Sequence, residues 1–70
     1  MIVSVFKTNI KPRDKTFIST IFDKIHAIHK WSTDLDDLDN ILRIESYEDI
    51  ANRIISILSE LGFQIEELDD

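Results

Sequence analysis

The stretch Trp31-Ser32-Thr33-Asp34-Leu35-Asp36-Asp37-Leu38-Asp39-Asn40-Ile41-Leu42-Arg43-Ile44-Glu45 decides the fold. Trp31, Thr33 and Leu35 alternate with polar residues, the period of a half-buried strand. Ile41 to Glu45 alternates again, which predicts a second strand with Leu42 and Ile44 inward and Ile41 outward. Between them Asp36-Asp37-Leu38-Asp39-Asn40 is a polar cluster of turn-forming residues, long enough to close a β-hairpin. A hairpin at the centre of a short chain leaves the flanking segments to complete the sheet and cover it.

On the N-terminal side, Met1 to Thr8 is rich in β-branched and aromatic residues and predicts a strand. Ile2, Ser4, Phe6 and Thr8 share one face and Met1, Val3, Val5 and Lys7 the other. Both faces carry apolar residues, so periodicity leaves open which one meets the core. Pro12 suits the first position of a helix, where its missing N–H costs nothing, and Asp14 in the first turn complements the helix dipole. The set Phe17 or Ile18, Ile21, Phe22, Ile25 and Ile28 extends the helical period, predicting a helix from Pro12 to about His29.

On the C-terminal side, Ser46-Tyr47-Glu48-Asp49 has the form of a capping box. The helix behind it would bury Ile50, Ile54, Ile57, Leu58 and Leu61. Gly62 stands where a left-handed C-terminal cap belongs. Phe63 to Glu67 alternates as a last short strand, and Leu68-Asp69-Asp70 reads as a frayed acidic tail. The element order is β-α-β-β-α-β. Two right-handed crossovers around a hairpin give an α+β, ferredoxin-like sandwich, a four-stranded antiparallel sheet with both helices on one face.

The bulk composition narrows the function classes. Seventy residues make one domain, 1–70, and a chain this size buries only about 60% of its unfolded surface. With no cysteine, neither a disulfide nor a thiolate metal site can add stability. The N-terminal apolar run is too short for a signal peptide or a membrane span, so a cytoplasmic location is expected. The net charge of −6 divides unevenly. Residues 1–30 hold six basic and two acidic residues, a balance of +4, and residues 31–70 hold two basic and twelve acidic, a balance of −10. The overall sign argues against nucleic acid, whose binding rests on neutralising phosphates.

Four groups of residues invite a chemical role. Lys7, Lys11, Arg13 and Lys15 crowd the junction of the first strand and first helix, where free amides would add partial positive charge. That corner suits an anion such as an acidic face of a partner protein, and a solvated polar turn is the plainer alternative. His26 and His29 are spaced to share a helix face and a metal, but no third ligand is evident. Asp34 to Glu45 partly matches a calcium loop. Leu38 at the fifth position and Asp39 at the glycine position break the pattern and favour a solvated acidic turn. Trp31 could stack on a ligand or line an interface, but a lone tryptophan at a strand start with alternating apolar neighbours is more often core. Ser19, Thr20 and His26 form no triad, since nothing orients the histidine, and an enzyme is not expected.

Several segments resemble the heavy-metal-associated domain of copper chaperones and of copper-transporting ATPases. They are Phe6-Lys7-Thr8-Asn9-Ile10 entering the first loop, Lys30-Trp31 opening the second strand, Asp39-Asn40-Ile41-Leu42-Arg43-Ile44, and Glu60-Leu61-Gly62-Phe63 closing the second helix. The resemblance implies the same sandwich over the whole chain. In that family a Cys-x-x-Cys pair in the first loop holds a soft metal. Here those positions fall on Pro12 and Lys15, or on Lys11 and Asp14, none of them a soft donor. What the resemblance implies is a docking module without its metal site, with no cofactor and with a basic loop facing an acidic partner. A divergent metal handler using histidine or carboxylate ligands is the alternative. Val3 or Val5 on the uncovered sheet face could support a weak homodimer in place of a monomer.

Overall fold

A computed structural model describes residues 1–34 and 40–68. The strands are β1 (Ile2–Thr8), β2 (Ile28–Asp34), β3 (Ile41–Ser46) and β4 (Ile65–Leu68), and the helices are α1 (Lys15–Phe22) and α2 (Ala51–Glu60). The strands form one antiparallel sheet in the order β2-β3-β1-β4, the ferredoxin-like arrangement expected. The two central strands come from different halves of the chain, so the sheet closes only when both halves meet.

Burial settles the face of β1. Ser4, Phe6 and Thr8 are buried, whereas Val3 and Lys7 are exposed and Val5 is half-buried. Phe6 joins Leu42 and Ile44 of β3, Ile18 and Phe22 of α1, and Ile54 and Leu58 of α2 in one hydrophobic cluster. Both helices therefore cover the same side of the sheet. Leu42 and Ile44 point inward as their alternation requires, and Ile41 is half-buried. Trp31 packs half-buried against the cluster, its ring edge-on to Phe22 with centroids 5.2 Å apart.

The first helix is much shorter than its apolar spacing suggests. A 3-10 turn, Pro12–Asp14, precedes α1, which ends at Phe22 rather than near His29. Ile25 and Ile28 carry on the apolar period, but their amides donate to Phe22 and Ile25 carbonyls in tight turns. Sheet pairing takes over beyond them, with Ile28 opposite Ser46 and Lys30 opposite Glu45 across an irregular step in register. A helix reaching His29 would leave that end of β3 without a partner, and ladder bonds outweigh local propensity. Phe17, one of two alternatives for the buried stripe, is exposed, and Ile18 is fully buried.

Three smaller expectations are also corrected. Ser46 ends β3 instead of capping a helix: its hydroxyl donates to the Glu48 carbonyl. The Ala51 amide that opens α2 is accepted by the Asp49 side chain at 3.2 Å. Leu61 is exposed, since it lies past the last helical turn, beyond the edge of the core. Leu68 is the last residue of β4 and pairs with Val5 rather than fraying. Gly62 does take the left-handed conformation, φ +94°. Its amide donates to Ser59 at 3.1 Å and that of Phe63 to Leu58 at 3.0 Å, the two bonds of a Schellman cap. The acidic segment 35–39, with the calcium-loop comparison that rests on it and the place of Leu35, lies outside the described residues. Among the described residues no helix is long and apolar enough to cross a membrane.

Candidate functional site

The basic turn is built by distant partners. Where β1 ends, the Thr8 hydroxyl accepts the Ile10 amide at 3.2 Å and donates to the Asn40 carbonyl at 2.7 Å. Asn40 returns a bond from its side-chain amide to the Ile10 carbonyl at 2.9 Å. Asn40 can do this because it sits at φ +46°, a conformation its short polar side chain tolerates. Asn9 exchanges two bonds with Gln64: its amide donates to the Gln64 carbonyl at 3.2 Å, and its side-chain oxygen accepts the Gln64 amide at 2.9 Å. Ile10 is fully buried and pins the turn to the core. The residues that hold the site are thus Thr8, Asn9, Asn40 and Gln64, and the sequence reading assigned none of them a role.

From that base the chain turns outward. Lys11, Pro12 and Arg13 are exposed and line an open depression of about 350 Å³, and Lys15, also exposed, begins α1. Pro12 opens the 3-10 turn, as its fixed φ favours. The anion expected at this corner is supplied by the chain. Asp14 Oδ2 accepts the Lys11 amide at 2.9 Å, while the Asp14 amide donates to the Lys11 carbonyl at 2.8 Å. What the turn offers a partner is therefore three long cationic side chains rather than backbone amides.

Lys7 does not join them. With Phe6 and Thr8 directed into the core, Lys7 lies on the uncovered face of the sheet, opposite Ile41 on one side and Glu66 on the other. It lines a separate groove of about 210 Å³ with Thr8, Gln64, Ile65 and Glu66. Alternation along the strand determines this: neighbouring residues cannot share a face. Of the four cations expected to converge, Lys11 and Arg13 line one depression, Lys15 is exposed at the start of α1, and Lys7 lies apart on the uncovered face.

The histidines are also separated from the arrangement expected of them. His26 falls in the turn after α1 and His29 in β2, so they do not share a helix face. His29 Nδ1 instead meets the Tyr47 hydroxyl at 2.7 Å, with the rings edge-on at 5.3 Å between centroids. Among the described residues no three His, Cys, Asp or Glu side chains lie close enough to hold a metal ion.

Compared with protein-family models, with curated proteins and with solved structures, the chain matches none.

Proposed function

We propose that this protein is a small non-catalytic interaction module, built like a heavy-metal-associated domain that has lost its metal pair. The loop that holds the metal in those domains serves here as the docking surface. The observation that carries this reading is the Lys11–Lys15 turn. Three cations stand exposed on a backbone held by bonds from Asn40 and Gln64, and the positions of the missing cysteines hold proline, lysine or a capping aspartate. A turn anchored in this way has its backbone position set before binding, which leaves the side chains as what a partner must order. Charge of one sign gathered on one turn of a chain with net charge −6 orients an acidic partner toward that turn, because the rest of the surface repels it.

The test is affinity capture at low salt with the natural protein and with a Lys11→Glu, Arg13→Glu, Lys15→Glu variant. The natural protein retains a partner that the variant releases, and the retained partner elutes with rising salt. Equal capture by both proteins refutes the reading.

A further inference from the structure

The basic turn has an apolar neighbour. Phe17 and Leu61 are 51% and 45% exposed, two of the large apolar side chains that the core leaves in contact with water. They lie at one end of the molecule. Thr8 at the end of β1 is in register with Ile65 at the start of β4, so the chain enters α1 where it leaves α2. Phe17 is one turn ahead of Ile21 on α1, and Leu61 one turn beyond Ile57 on α2; Ile21 and Ile57 are half-buried against the core. Right-handed crossovers turn these two flanks toward each other. Phe17 and Leu61 therefore stand on the facing flanks of the two helices, at the end of the sheet where the basic turn lies.

Charge on the turn ahead of Phe17 is lopsided. Lys11, Arg13 and Lys15 stand against Asp14 alone, and the Asp14 carboxylate already accepts the Lys11 amide. Arg13 belongs to the 3-10 turn that leads into α1, and Phe17 to the first turn of α1. On α2, Glu60 is exposed next to Leu61.

We infer that the partner segment is acidic and amphipathic, seating an aliphatic or aromatic side chain between Phe17 and Leu61 while its carboxylates meet Lys11, Arg13 and Lys15. This rests on the docking reading above and adds its anchor. Charge alone at an exposed surface is weak and screened by salt, whereas a few apolar anchors in a desolvated centre carry most of the free energy of a peptide interface.

Two synthetic peptides of equal negative charge test it, one with leucines spaced among glutamates and one with serines at those positions. Each is titrated into isotopically labelled protein while backbone amide shifts are followed. The leucine peptide should bind on the order of tenfold tighter than the serine peptide. Its shifts should map to residues 11–17 and 57–63, and Phe17→Ser or Leu61→Ser should erase the advantage without weakening the serine peptide. If both peptides bind the basic turn equally, the anchor is wrong and the docking reading stands. If neither binds, both fall. Shifts on the Val3 and Val5 face, or shifts that follow protein concentration without peptide, overturn the inference in favour of another surface or a second copy of the chain. Because the peptides are compared on the unaltered protein, the result does not depend on either variant folding.

Discussion

Gly62→Ala isolates one term of the stability. An added Cβ at Gly62 would meet no atom within 4 Å, so there is no clash to relieve and no neighbour to move. What remains is φ +94°, a backbone conformation that L side chains rarely adopt. A non-glycine residue in the left-handed region costs about 1–2 kcal/mol. Alanine also restricts the unfolded chain, which returns about 0.4–1 kcal/mol. The net loss is about 1 kcal/mol, which for a domain of this size lowers Tm by roughly 4–8 °C. Thermal unfolding followed by circular dichroism measures it, with Gly62→Asn as control, since asparagine tolerates the left-handed region and should recover part of the loss. An unchanged Tm for Gly62→Ala would refute the backbone argument. So would a loss above about 3 kcal/mol, which would require a clash that the open space around Gly62 rules out.

Two further substitutions test other parts of the structure. Phe22→Ala removes a ring that is 2% exposed and lies edge-on to Trp31. The expected loss of about 3–5 kcal/mol approaches the whole stability of so small a domain, so denaturant titration should find the variant largely unfolded, and a cooperative transition near that of the natural protein would contradict the core described. Asp14→Ala deletes the carboxylate that accepts the Lys11 amide; it should cost about 0.5–2 kcal/mol in urea titration, and a neutral result would mean that water replaces the cap without loss.

The architecture was readable because its signals are local. Alternation around the polar cluster specified the hairpin, and a single glycine after an apolar stripe specified the end of α2. The first helix misled because local signals cannot weigh a sheet ladder. Ile25 and Ile28 keep helical spacing, yet β3 extends far enough to claim Ile28–Lys30 as strand. The misplaced histidines follow from that one error, since their shared face existed only on the longer helix. At the basic turn, the exposed cations were legible from composition alone. Their support was not, because it consists of bonds from Asn40 and Gln64 that exist only once the sheet has formed. Lys7 could have been separated from the others in advance, had burial of Phe6 and Thr8 fixed the face of β1.

Those same bonds have a consequence for how the protein matures. The Asn40 contact to Ile10 spans 30 residues and the Gln64 contact to Asn9 spans 55. The backbone that leads into the turn, residues 9 and 10, gains these bonds only after residues 40 and 64 have been synthesised and docked. Closing loops of that length is slow compared with forming a helix. A nascent chain or one truncated before Gln64 carries every lysine and arginine of the turn but lacks the frame that sets them in place. Any recognition that depends on the arrangement of those charges therefore depends on residues 40 and 64 as well as on the turn itself.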